Sequence, residues 1–176
     1  TGTINYFNSS DTPSANTALT VTVNDQGNSG ADPGLTGDGS SEEGTNSQVI
    51  NITAVNDDPT VATNTGMTVS EGSTGNLINM ARLDEGDPDD SGTGLTYTGT
   101  ALTGKGTLRR SGTALILNDT FTQDDIDNNR ITYDHDGSDT TSDSFQFSLA
   151  DGGEDGSTPV TGTFGILVTA SNDAPA

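Results

Sequence analysis

Residues 145–151 read Phe145-Gln146-Phe147-Ser148-Leu149-Ala150-Asp151, and residues 19–25 read Leu19-Thr20-Val21-Thr22-Val23-Asn24-Asp25. In both stretches every second side chain is apolar. That period puts the apolar residues on one face of an extended chain, the mark of a half-buried strand. The pattern continues outward in both directions. Val49 to Val55, Leu95 to Leu102, Leu115 to Leu117, Ile131 with Tyr133, and Phe164 with Ile166 and Val168 all read as strands. Gly, Asp, Asn and Ser fill the gaps, as turns require. No useful window carries a 3.6-residue apolar stripe, and the one helical candidate is the short run Thr122 to Asn129. Regularly spaced strands with turn signals between them predict an all-β sandwich or barrel.

The two opening stretches are also copies of one another, with an offset of 126. Ile4-Asn5-Tyr6 matches Ile131-Thr132-Tyr133 at an offset of 127, and Asn56-Asp57 with Pro59 matches Asn172-Asp173 with Pro175 at 116. Each match keeps strand phase, so the same faces turn inward. The drop from 126 to 116 places a longer loop in the first copy, in the Gly-rich stretch after Asp25. Residues 1–58 therefore read as the back part of one repeat and residues 59–176 as a whole one. A partial first copy exposes an apolar face and open strand edges. Either upstream sequence or another chain is expected to complete it.

Composition sets the charge problem. Among 176 residues, 26 acids face five Lys and Arg, for a net charge of −21, with 28% hydrophobic residues and no Cys. Such numbers also fit disorder, but the strand periodicity argues against it. Local disorder is expected only over Gln26 to Gln48. A nucleic-acid partner is disfavoured, because phosphate recognition uses Lys and Arg. No run reaches the ~18 apolar residues of a membrane span.

Little in the chain suggests catalysis. A single His135, at a predicted strand end, reads as an exposed turn residue, and nothing singles out a nucleophilic serine. Carboxylates as calcium ligands make the stronger case, since calcium takes about six to eight oxygens. Of the 26 acids, 21 are Asp, whose short side chain suits a tight cage on a Gly-containing turn. The densest cluster is Asp84-Glu85-Gly86-Asp87-Pro88-Asp89-Asp90-Ser91-Gly92. Asp87, Asp89, Ser91 and Gly92 fit the first half of a D-x-D-x-S-G loop, but Thr98 stands where an EF-hand needs its closing Glu. A solvated acidic turn is the plainer reading of the same residues. Asp125 and Asp127 read as helix N-terminal charges. Asp134 and Asp136, two apart at a strand end, point to one side, and Asp25 and Asp151 occupy one position in both copies.

The junctions Val55-Asn56-Asp57-Asp58-Pro59 and Ser171-Asn172-Asp173-Ala174-Pro175 resemble the V-N-D-x-P boundary of cadherin-like repeats in large bacterial surface proteins. The run from Phe121 through Tyr133-Asp134-His135-Asp136-Gly137 to Asp151-Gly152 is similar to the chondroitin-sulphate-proteoglycan type of that repeat. The first copy lacks the Asp-His-Asp acids. The resemblance implies a Greek-key cadherin/Ig-like β-sandwich of seven strands, repeated in tandem, with Ca2+ held at the junctions. It implies ligand roles for Glu71 near the start of a repeat, for Asp84, Asp87 and Asp89 in the acidic loop, for Asn56 and Asp57 in the linker, and for Asp134 and Asp136 as a D-x-D pair.

The expected protein is then a non-catalytic, calcium-stabilised spacer or adhesive module of an extracellular, surface-attached bacterial array. Its partners are neighbouring repeats or identical subunits, with a host or cell-surface ligand in addition. A filament subunit joined by strand donation is the alternative. A glycan- or protein-binding module is a further one, for which only Tyr97 beside the acidic loop offers an aromatic.

Overall fold

The computed structural model describes residues 3–10, 13–24 and 43–172. The chain forms two compact units, Thr1–Val55 and Asn56–Ala176. In the first, β1 (Asn16–Asn24) pairs antiparallel with β2 (Glu43–Asn51). Thr17 lies opposite Ile50 and Leu19 opposite Gln48, so Leu19, Val21, Val23 and Ile50 share one face of the hairpin. The other face carries hydroxyls that bond across the ladder, Thr20 to Ser47 and Thr22 to Thr45. Those polar pairs correct the expectation of disorder up to Gln48. Residues 43–48 are strand although they lack apolar alternation. Asp25 and residues 26–42 lie outside the described residues.

The second unit holds β3 (Val61–Asn64), β4 (Met67–Ser70), β5 (Asn76–Leu77), β6 (Leu83–Glu85), β7 (Thr96–Ala101), β8 (Gly106–Arg110), β9 (Thr113–Ala114), β10 (Thr120–Thr122), a short helix α1 (Gln123–Asp127), β11 (Ile131–His135), β12 (Ser142–Ala150) and β13 (Val160–Thr169). One sheet has the order β10-β7-β12-β13-β4 and the other β5-β11-β8-β9, with β3 and β6 paired beside them. The chain changes sheet between β7 and β8, β9 and β10, β10 and β11, and β11 and β12, which is the Greek-key connectivity of a sandwich. The edge strands β9, β5 and β10 are two or three residues long, which limits open pairing.

The alternation read from sequence becomes the core. Phe145, Phe147 and Leu149 of β12 and Phe164, Ile166 and Val168 of β13 face inward against Ile131, Tyr133 and Leu108 of the other sheet. Tyr97 stacks on Phe121 at 5.0 Å between ring centres and meets Phe147 edge-on at 5.3 Å. At roughly 1.5–3 kcal/mol for each large apolar side chain buried, this core is the main favourable contribution to folding of the unit. Burial of Tyr97 also removes the one aromatic that pointed to a ligand surface.

Further sequence expectations need correction. Leu115 to Leu117 is no strand. Asp119 accepts the Ile116 N–H at 2.9 Å and Asn118 donates to the Gly99 carbonyl, so the run bends into a turn with Leu115 buried and Ile116 and Leu117 exposed. His135 is not exposed. It is buried at the end of β11, and its Nδ1 accepts the N–H groups of Gly72 and Gly137, both at 3.1 Å. The helix is one turn, closed by a capping box between Thr122 and Asp125. Burial raises the Asp125 pKa, but the Thr122 N–H and the Arg130 guanidinium outweigh it and hold the carboxyl below its ordinary range. Asp127 ends the helix instead of opening it.

Gly66 lets the chain leave the β3–β6 pairing and join β13 as β4. It has φ +67°, and a Cβ there would lie 2.5 Å from the Gly165 carbonyl oxygen. Gly66→Ala is therefore expected to destabilise the unit by on the order of 1–3 kcal/mol, read as a lower urea midpoint at unchanged slope. An unaltered midpoint would show that this crossing has slack.

Candidate metal centre

Strand polarity sorts the acids to two ends of the second unit. β12 starts beside Asp143 and ends beside Asp151, and its antiparallel partners β7 and β13 begin at the Asp151 end. The linker Asn56–Asp58, the β6–β7 loop and the β12–β13 loop therefore meet at one end. Glu71, Asp136 and Asp143 belong to the other.

At the first end, carboxylate oxygens of Asp87, Asp90 and Asp151 all lie within 4.8 Å of one another. Each is placed by local backbone. Asp87 donates its N–H to Glu85 at 2.7 Å, and its Oδ1 accepts the N–H groups of Asp89 (2.9 Å) and Asp90 (2.8 Å). Its Oδ2 is buried with no hydrogen-bond partner. Asp90 lies against bare backbone, since a Cβ on Gly94 would come 2.7 Å from its Oδ1. Asp151, buried at the end of β12, accepts the Ser157 hydroxyl at 2.6 Å, the Gly153 N–H at 2.9 Å and the Asn56 amide at 2.8 Å.

The electrostatics differ across the three. The Ser157 hydroxyl, with the Gly153 and Asn56 donors, outweighs desolvation and holds Asp151 below the ordinary aspartate range. Asp90 is pushed above it, first by burial and then by the charges of Asp87, Glu154, Asp151 and Asp89. An ionised anchor beside a carboxylate that resists ionisation is an arrangement that a cation relieves. The donor set is oxygen alone, with one buried carboxylate oxygen still unpartnered, which fits a hard cation such as calcium. Asp87, Asp90 and Asp151 are the residues that would hold it.

The acids expected as ligands divide accordingly. Asp87 is in the cluster. Asp89 instead accepts the Asp57 N–H at 3.0 Å, and Asn56 turns its amide nitrogen to Asp151 and its backbone N–H to Asp155. These contacts fasten the linker to both loops. Asp84 points to the helix, accepting from Gln123 at 2.8 Å, and burial, then Asp127, raise its pKa against the opposing Glu85 N–H. Asp134 is committed to the Gly75 N–H and to Arg109 at 2.6 Å, which in that order hold its pKa down. Asp136 accepts from Ser138. Glu71 accepts the Ser171 N–H at 2.8 Å and keeps Oε1 buried without a partner. Sequence spacing missed Asp90, because the Asp87 turn brings the third following residue round, not the second. Recurrence at Asp25 was the one signal for Asp151.

Fold and site define an all-β sandwich with its acids gathered at the ends. The chain belongs to the cadherin-like family, whose model matches residues 59–167. It is 35% identical over 98 residues to human (Homo sapiens) FRAS1-related extracellular matrix protein 1 and 36% identical over 105 residues to human extracellular matrix organizing protein FRAS1. Over 76 residues it is 42% identical to extracellular matrix protein 3 of Lytechinus variegatus. These matches cover 56%, 58% and 43% of this chain, but only 4%, 3% and 2% of those proteins.

A carboxyl whose pKa is raised on folding stabilises fully below its unfolded pKa, about 3.9, and loses that contribution as pH rises through the folded value. Ionised Asp90 therefore weakens the metal-free protein at neutral pH. Asp90→Asn is expected to raise the melting temperature in chelator at pH 7 and to bring it closer to the value at pH 5. A lower melting temperature in chelator would contradict the repulsion assigned to Asp90.

Proposed function

We propose that this chain is a calcium-stabilised structural repeat of an extracellular tandem array, a spacer or adhesive module that does no chemistry. The supporting observation is the cluster of Asp87, Asp90 and Asp151 beside a linker already hydrogen-bonded to both of its loops. The resemblance of the junctions to bacterial surface repeats and the matched animal proteins, matrix proteins by name, agree on an extracellular module. They differ on whether it serves a bacterial surface or an animal matrix.

The mechanism is mechanical. Three clustered carboxylates repel and push the β6–β7 and β12–β13 loops apart. A divalent cation removes that repulsion and draws together the loops that grip Asn56, Asp57 and Asp58. Asp58 adds to the grip by accepting the Thr158 N–H at 2.7 Å. The path of the chain into the sandwich is then fixed. At the opposite end Glu71, with its free Oε1 next to Ser171, is where a following repeat would add ligands. Neighbouring repeats are thus the principal partners. A glycan-stacking role gains no support from the second unit, whose aromatics are all buried.

Calcium that binds only the folded state stabilises by about 2.7 kcal/mol at one hundred times its Kd, a rise on the order of 10 °C for a unit of this size. Calorimetry in excess calcium against excess chelator should show that rise. Asp87→Asn keeps the Oδ1 that closes the turn, so it should fold and lose most of the shift. Identical curves with and without calcium would refute the metal reading.

A further inference from the structure

Charge is spread unevenly over the second unit. Asp143 is the single charged residue in the five strands β10, β7, β12, β13 and β4. It has the parity of Phe145 and turns to the opposite sheet, where it accepts the Tyr133 hydroxyl at 2.9 Å. The shorter strands of that other sheet carry Asp134, Arg109 and Arg110. The outer face of the larger sheet is therefore free of charge, in a chain with 26 acids. One row crosses four strands in register, with Thr120 opposite Thr98, Thr98 opposite Ser148 and Ser148 opposite Thr161. None of those four hydroxyls bonds to another group among the described residues. Thr20 and Thr22 of the first unit, by contrast, bond across their own ladder.

The same face is shaped to fit a copy of itself. Leu167 is its one large apolar side chain, 63% exposed between Ser142 and Thr68 of the neighbouring strands. Two residues back on β13, Gly165 leaves a hollow, since a Cβ there would meet nothing within 4 Å. An open groove of about 690 Å³ is lined by both, with Thr68 and Arg82 also in its walls. Arg82 has no ion pair among the described residues, whereas the other three arginines each face an acid. A two-fold axis across β13 at Ile166 sets that strand antiparallel over its mate. Leu167 of each copy then lies over Gly165 of the other, a self-complementary contact. Two twisted sheets pack face to face in this way with their strands nearly aligned.

We infer that the outer face of the β10-β7-β12-β13-β4 sheet is a lateral self-association surface, and that its partner is the same face of a second copy of this chain. The contact is side by side, away from the ends where the acids gather. Charge selects the partner. A second copy is as acidic as the first, so close approach at a face that bears acids sets carboxylate against carboxylate. The neutral face avoids that repulsion, and the unpaired Arg82 at its margin attracts the acidic rim of the mate. A basic partner gains more at the acid-lined ends than here. Area limits the strength. At ~4.8 Å between strands and ~3.3 Å per residue, the five strands cover about 500 Å², so a pair buries on the order of 1,000 Å², the lower bound for a specific contact. Association of single copies is therefore weak, and several such faces carried on one chain would strengthen it by avidity.

Sedimentation equilibrium of the full chain in calcium, up to about millimolar concentration, tests this. The expected result is a monomer–dimer equilibrium with a Kd on the order of 100 μM. It should tighten severalfold as salt rises from ~50 to ~500 mM, because screening weakens the repulsion between two acidic copies. Leu167→Asp puts a carboxylate at the centre of each face, and Gly165→Val fills the hollow from a position with open space around it. Both should keep the melting temperature of the second unit and weaken the dimer by about tenfold or more. Leu19→Asp, on the exposed face of the first unit, should leave the dimer unchanged. A chain that stays monomeric at the highest concentration in high salt would overturn the inference. So would a dimer that survives Leu167→Asp, or one that Leu19→Asp abolishes, because the contact would then lie elsewhere. The association does not depend on the metal reading, which the calcium shift in melting temperature tests separately on the same samples.

Discussion

Like-charge repulsion is the constraint that the rest of this structure has to satisfy. With five cationic side chains for 26 acids, ion pairing can serve only a few. Arg109 pairs with Asp134, and Arg130 pairs with both Asp124 and Asp125. Several of the other described acids find another partner, the backbone N–H. Asp143 accepts from Gly104 and Lys105, Asp119 from Ile116, Asp58 from Thr158, Asp136 from Ser138 and Asp87 from two residues of its own turn. Each such bond ties a loop that would otherwise carry an unpaired donor. Charge that looked hostile to folding is spent on closing turns.

This changes the meaning of the Asp excess. Asp over Glu suggests a calcium cage, because short side chains converge more tightly. It suggests loop closure equally well, because only a short side chain reaches an amide two or three residues on. The structure shows loop closure directly, and what remains after the amides are counted marks where a cage would fit. Asp134, Asp136 and Asp143 are satisfied by local donors or Arg109. Asp87 is left with an unpartnered buried oxygen beside two more carboxylates, and there the cage reading is strongest.

The strands were legible because period two is a property of the chain itself. Phe145 to Leu149 and Phe164 to Val168 needed no knowledge of their neighbours. Reading failed where the deciding partner was distant or polar. The start of β2 is held by Thr45 and Ser47 hydroxyls bonding across to β1, which leaves no apolar signature. Leu115 to Leu117 has the composition of a strand, but the Asp119 carboxylate closes it into a turn. His135 resembles a surface residue until Gly72, from 63 positions earlier, is placed against its ring. Asp90 and Asp151 are brought together by two loops at one end of the sandwich, and spacing along the chain carries no trace of that meeting.

The repeat was the exception, a long-range relation visible in sequence, because two copies of one pattern can be compared without knowing what either touches. Its offsets carry geometric content. A drop of ten between the strands of a hairpin lengthens the connecting loop and leaves the register untouched, and both hairpins obey that rule. Exposed apolar positions in the first copy then acquire a meaning they lack singly. Scattered surface Val or Leu needs no explanation. A whole face whose counterparts in the second unit are buried, position by position, is not scatter of that kind.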